Sequence, residues 1–164
     1  MSRLDSFLRR LQAQRDCLNW AVDMVAKVPG PLFELGLGNG RTYDHLRSIC
    51  PDREIFVFER SVSAHPDCVP DAAHLFEGLI EDTLDAVQER FAASVSMAHV
   101  DLGSGHPDID AKTAATVSAR LPALMAPGGV IISDQELTLP EAEALPLPAG
   151  VQERRYFMYC WPQA

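Results

Sequence analysis

No stretch of this sequence reaches the run of about 20 apolar residues needed to cross a membrane. The segment Met1-Ser-Arg-Leu-Asp5 runs on to Arg9-Arg10 without the apolar core of a secretory leader. The expectation is a soluble, cytoplasmic protein with no membrane partner. Basic residues are also scarce: 14 Lys and Arg stand against 23 Asp and Glu, for a formal charge of −9 and a pI near 4.9. Chains that wrap a phosphate backbone show the opposite balance, so nucleic acid is not an expected partner. The four cysteines, at 17, 50, 68 and 160, form no C-x-x-C pair. Cys68 and His74 alone do not complete a zinc site, which leaves buried free thiols, suited to a reducing cytoplasm. What is present is ordinary globular material: 164 residues, 47% hydrophobic and 23% charged, enough for one core without staples.

The first segment reads as an amphipathic helix ended by Pro29-Gly30-Pro31. Leu4, Phe7, Leu8, Leu11, Leu18, Val22 and Val25 recur at three- and four-residue steps, with Arg9, Arg10 and Arg15 off the stripe. Such a helix packs as a layer on a sheet, or serves as a lid or a dimer surface. Short apolar runs follow at 32–35, 55–58, 74–76, 95–100 and 130–133, alternating with helical stretches at 42–49, 83–91 and 111–124. This alternation predicts an α/β fold: a Rossmann-like, doubly wound, mostly parallel sheet with helices on both faces, preceded by the N-terminal helix. A Pro- and Leu-rich loop over 137–150, with a helical turn near 141–144, leads to a last strand at 155–161. The chain thus reads as one domain: helix 1–28, core 30–135, and loop plus last strand 136–164.

The most informative stretch is Glu34-Leu-Gly36-Leu37-Gly38-Asn-Gly40-Arg41-Thr42, where a strand runs into three alternate glycines and a helix begins. Glycines are needed where a backbone turns sharply and a ligand approaches within contact distance. At the end of a first parallel strand, that turn borders the ligand crevice of an open α/β sheet. Glu59 closes the second strand, Ile55-Phe-Val-Phe-Glu59, where a carboxylate can accept two hydrogen bonds from a ribose diol. The glycine spacing is G-x-G-x-G rather than the G-x-G-x-x-G of nicotinamide dinucleotide enzymes.

The pattern E-x-G-x-G-x-G resembles motif I of the class I S-adenosylmethionine-dependent methyltransferases. Four further elements follow in order: Glu59; His74-Leu-Phe-Glu-Gly78-Leu79-Ile80-Glu81; Val100-Asp101; and Leu124-Met-Ala-Pro-Gly-Gly-Val-Ile-Ile-Ser-Asp134. The resemblance spans roughly residues 30–135. It implies S-adenosyl-L-methionine as cofactor, with the backbone at Gly36, Gly38 and Gly40 beneath its methionine part and Leu37, Arg41 and Thr42 also among the cofactor-binding residues. Glu34 is implied to hold the amino group directly or through water; capping of the turn's own amides is the structural alternative. Glu59 is implied to bind the ribose, and the adenine to lie between side chains near Arg60 and Ser61 and near Leu79 and Ile80, with Gly78 also among the cofactor-binding residues. Leu79 stands where many relatives place an Asp that reads the adenine amino group, so backbone contacts or Glu81 would have to serve.

Asp101, in the fourth-strand motif, is implied among the cofactor-binding residues as well. His99, Asp101 and His106 are the candidate catalytic residues should the acceptor need a base, each with a hydrogen-bonded structural role as the alternative. Asp101, Asp134 and Gln135 resemble the Mg²⁺ ligands of catechol O-methyltransferase-like enzymes. The lysine that follows the fourth-strand Asp in those relatives is replaced by Ser104, and loop capping by the aspartates is the alternative. The expected activity is methyl transfer to a small-molecule acceptor; a cofactor-binding regulatory module or pseudo-enzyme is the rival. The chain leaves little room for a substrate domain. Specificity therefore falls to the N-terminal helix, to loops 103–108 and 137–150, or to a second subunit, which keeps a homodimer open.

Overall fold

The computed structural model describes residues 2–163. Ser2 starts helix α1 (Arg3–Met24) through a reciprocal cap: its hydroxyl accepts from the Asp5 N–H, and the Asp5 carboxylate accepts from the Ser2 N–H. Thereafter come β1 (Leu32–Leu35), α2 (Arg41–Ile49), β2 (Ile55–Glu59), β3 (Leu75–Glu77), α3 (Ile80–Val87) and β4 (Val95–Val100). The chain continues through α4 (Pro107–Arg120), β5 (Met125–Ser133), β6 (Glu143–Ala144) and β7 (Phe157–Cys160). The seven strands form one sheet in the order β3-β2-β1-β4-β5-β7-β6. The first five are parallel; β7 runs antiparallel to β5, and β6 antiparallel to β7. From β1 the chain steps outward to β3, then returns to place β4 on the other side of β1. That reversal opens the crevice at the C-terminal ends of β1 and β4.

Side-chain alternation divides the strands between two faces. Phe33, Leu35, Phe56, Phe58, Ala98, Val100 and Ile131 pack with Leu84 and Val87 of α3 and Val117 of α4. On the opposite face Leu32, Ile55, Val57, Met97, Val130 and Ile132 meet Ala13, Cys17, Leu18 and Ala21 of α1 and Tyr43 and Leu46 of α2. Arg53 fastens the far end of α1, donating to the Val25, Val28 and Gly30 carbonyls at 2.9, 2.8 and 2.8 Å. All four cysteines are free: Cys17 and Cys50 are buried and Cys68 and Cys160 half-buried. Burial pushes the Cys17 thiol up to about 12.

Several elements differ from the sequence reading. The buried stripe of α1 is Ala13, Gln14, Cys17, Leu18 and Ala21, whereas Leu4, Phe7 and Leu8 are exposed. At 1.5 Å per residue the 22-residue helix is about 33 Å long and overhangs strands of four to nine residues. Helix α3 begins three residues early, straight after the extended Leu79, and ends at Val87. Helix α4 begins at Pro107, a residue already shaped for a first turn, and gives way at Pro122 to the 3₁₀ turn Leu121–Ala123. Strand β5 reaches back to Met125. The helical turn read near 141–144 is instead β6, drawn into the sheet by Glu143 and Ala144 pairing with Cys160 and Tyr159.

Candidate functional site

The three glycines after β1 have different reasons to be glycine. A Cβ on Gly36 (φ +95°) would stand 2.3 Å from the Asp101 carbonyl oxygen, because the β4 end passes directly beside the turn. One on Gly40 (φ +82°) would stand 2.4 Å from Cys68 Cβ. At Gly38 (φ +50°) no heavy atom lies within 4 Å of that direction, so this glycine faces open space. The turn is thus held tightly at both ends and open to a ligand in the middle.

Glu59 ends β2 beside this opening. Its Oε2 accepts from the Leu37 and Gly38 amides at 2.8 and 3.1 Å, and its Oε1 from the Ser61 amide at 3.1 Å. A carboxylate accepts about four hydrogen bonds, so about one acceptor direction stays free for an incoming hydroxyl. The turn's amides are therefore capped by Glu59 and not by Glu34. Next along the crevice, the Gly78 amide donates to the Glu59 carbonyl at 2.9 Å. Leu79, 45% exposed, offers an apolar shelf where the resemblance places adenine. Ile80 is half-buried at the start of α3, and Arg60 is exposed on the rim.

Glu34 is fully buried. One of its oxygens accepts from the Thr42 hydroxyl, and the other accepts from His99 Nδ1 at 2.7 Å. It thus braces the first turn of α2 and the C-terminal end of β4 from beneath the glycine turn. Burial lowers the His99 pKa, but the Glu34 carboxylate outweighs it and the net shift is upward. The His99 ring stacks on Tyr156 with centroids 6.2 Å apart. His99 Nε2, the Tyr156 hydroxyl and Asp134 Oδ1 are buried without a hydrogen-bond partner among the described residues. Burial, then the nearby Asp101, pushes Asp134 up to about 6; burial, Asp101 and Asp134 also raise Tyr156.

Asp101 sits at the end of β4, where Gln14 of α1 donates to its Oδ2 at 2.6 Å. A cavity of about 100 Å³ opens between α1 and the turn, bordered by Arg10, Gln14, Gly38, Arg41, Thr42 and Asp101. His106 lies apart, exposed at the start of α4, in a loop held by Ser104 donating to Asp110 at 2.7 Å. Asp134 and Gln135 take the loop-capping role: Asp134 Oδ2 accepts from the Gly103 amide at 3.0 Å and from Gln135 Nε2 at 3.4 Å. Among the described residues no group of three or more His, Cys, Asp or Glu is placed to hold a metal ion. The Mg²⁺ expectation is corrected accordingly: these side chains are engaged by Gln14, by the Gly103 amide and by each other.

Gln14 and Tyr156 were not legible as site residues. Gln14 left one signal, a polar side chain four residues before Leu18 on the face that the structure buries. Tyr156 follows a Pro-rich loop and left none.

A glycine turn, an acidic second-strand end and a switch-point crevice thus meet at one end of an α/β sheet. A sequence model of the family described as S-adenosyl-L-methionine methyltransferase matches residues 1–161. The structure of an S-adenosyl-L-methionine methyl transferase from Silicibacter pomeroyi DSS-3 is similar at 44% identity and a TM-score of 0.92, covering 98% of each chain. More distant likenesses extend to the antibiotic-resistance methyltransferase Kmr, at 14% identity and TM-score 0.55, covering 88% of this chain and 93% of that one. A 16S rRNA (adenine(1408)-N(1))-methyltransferase from Catenulisporales acidiphilia has 11% identity and TM-score 0.53, covering 89% and 92%. These two bear on the fold alone. No match was found among the curated proteins. The chain belongs to the S-adenosyl-L-methionine methyltransferase family.

Proposed function

We propose that the protein transfers the methyl group of S-adenosyl-L-methionine to a small-molecule acceptor. The observation that carries this reading is the open middle of the glycine turn: Gly38 faces free space with Glu59 on one side and Asp101 on the other. The donor set fits the cofactor. Glu59 suits a ribose hydroxyl, exposed Leu79 an adenine face, and Asp101 the amino group. When bound, the cofactor supplies a methyl on a positively charged sulfur, and no nucleophile of the protein is needed. The chain's contribution is then to hold and align, which can supply much of the rate.

For the acceptor, two features favour a small neutral or cationic molecule over a polyanion. The formal charge is −9, and the crevice is a narrow opening between α1 and the turn. His99 is paired inside the core with Glu34, which leaves Asp101, at the edge of the cavity, to take a proton from an acceptor that carries one. The test is a turnover screen in which purified protein and S-adenosyl-L-methionine are mixed with acceptor classes and S-adenosyl-L-homocysteine is quantified. Product with an amine, phenol or carboxylate acceptor supports the reading. Cofactor binding without turnover across all classes favours the regulatory module instead.

A further inference from the structure

Helix α1 outruns the surface that supports it. Its buried residues begin at Ala13, and Gln14 already meets the end of β4, so residues 3–12 project beyond the sheet as an arm about 15 Å long. The arm is capped at its first turn by Ser2 and Asp5. Its apolar residues, Leu4, Phe7, Leu8 and Leu11, follow the i, i+3, i+4, i+7 spacing that gathers side chains on one face. Leu4, Phe7 and Leu8 are 65, 44 and 55% exposed and belong to neither buried cluster. The other large exposed apolar side chains among the described residues, Met24, Leu79 and Ile109, lie singly on separate parts of the chain. Scattered apolar residues are ordinary on a surface, whereas a contiguous stripe marks a contact. A helix gains most of its stability by packing such a face, and the described residues leave these three side chains exposed.

The order of the stripe says what fits it. Its steps are three, one and three residues, the same read from either end. A second copy of the helix laid antiparallel therefore sets Leu4 against Leu11 and Phe7 against Leu8, apolar against apolar at every position. Charge selects the same direction. Residues 3–12 hold three arginines and one aspartate, in a chain of 14 basic and 23 acidic residues, and that aspartate is engaged in the cap. Parallel pairing would bring the two basic arms and the positive ends of both helices together. Antiparallel pairing turns each arm toward the acidic body of the other copy. We propose that the protein forms a two-fold dimer through this arm, with Leu4, Phe7, Leu8 and Leu11 of one copy packed antiparallel on the same four residues of the other. Such a contact is isologous and closes at two chains. Leu11 also borders the crevice cavity, so the second copy stands at the rim of the site and holds the helix that walls it. The pairing is independent of the methyl-transfer reading.

The test is the mass of the native chain in solution, read by sedimentation equilibrium at micromolar concentration, where twice 18.0 kDa is expected. Phe7→Asp/Leu8→Asp, at two exposed positions, is expected to weaken the association at least about tenfold while native circular dichroism is kept. Met24→Asp, exposed on the same helix but outside the stripe, is expected to leave it unchanged. Introduced thiols read the direction. Residues 4 and 11 of one chain stand about 10 Å apart along the helix, too far for a disulfide. Leu4→Cys/Leu11→Cys is therefore expected to give covalent dimers with oxidised glutathione, and Leu4→Cys alone to give none, as for the native chain with its four free thiols. A monomeric native chain overturns the proposal, and so does a dimer that Phe7→Asp/Leu8→Asp leaves intact. Linkage through Leu4→Cys alone, or none through the double variant, overturns the antiparallel register.

Discussion

The two faces of the sheet are made by the same strands, yet they are built to different ends. Toward α3 and α4 the strands present Phe33, Phe56, Phe58, Ala98 and Val100, and Phe33 lies against Phe58 and Phe91 with ring centroids 4.8 and 5.1 Å apart. Toward α1 and α2 the alternate positions of the same strands are also mostly apolar, Leu32, Val57, Met97 and Ile132 among them, but they include Glu34 and His99, paired with each other at zero exposure, with Asp101 two residues further on. The first face stabilises by apolar burial. The second adds to its apolar layer the cost of burying a Glu–His pair beneath the glycine turn; Glu34, Glu59 and Asp101 lie on it, whereas Ile80 packs against the first. Both faces bury apolar side chains, but the strands place their buried Glu34–His99 pair on one of them alone.

That division can be broken from either side. Phe33→Ala should be the most damaging change, lowering unfolding free energy by about 3–5 kcal/mol in urea titrations while leaving the affinity of the folded chain for S-adenosyl-L-homocysteine unchanged. A matching loss of affinity would mean that the faces are not independent.

Glu34→Gln removes the charge from the polar face while keeping its shape, and should cost about 1–3 kcal/mol. It should also change the pH profile. His99 is raised above its ordinary 6.5, so its contribution is complete below 6.5 and is lost as pH climbs through its folded value. Asp134, raised from 3.8 to about 6, makes stability fall as pH rises between those two values. Native stability should therefore decline in two windows between acid and alkaline pH. Glu34→Gln should remove the upper decline and Asp134→Asn the lower, as read from urea midpoints at each pH.

Glu59→Ala should act on binding: about tenfold or more loss of S-adenosyl-L-homocysteine affinity, measured by calorimetry. The smallest effect belongs to the exterior of the apolar side. Arg120 and Asp85 join α4 to α3 at 2.8 Å, but Asp85 is 56% exposed, so Asp85→Asn should cost less than about 1 kcal/mol.

The faces also differ in how far they could be read in advance. The strands, the glycine turn and Glu59 announce themselves by local spacing: β1 and β4 match their expected bounds, and the turn's three glycines stand within five residues. The parallel order follows from strand–helix alternation. What stayed hidden depends on contacts between distant residues. Gln14 meets Asp101 across 87 positions and Glu34 meets His99 across 65, and no periodicity encodes such pairs. The leucines that begin α1 look like a core stripe because spacing records the face of a helix but not how far it extends past its support. Strand β6 is two residues long and exists through its pairing with β7.

The polar face is proposed to end in the binding site for S-adenosyl-L-methionine and its demethylated product. Its most direct test is calorimetric titration of the purified chain with S-adenosyl-L-homocysteine. One site per chain with micromolar affinity is the predicted result; no detectable heat of binding, with the chain folded, would contradict it.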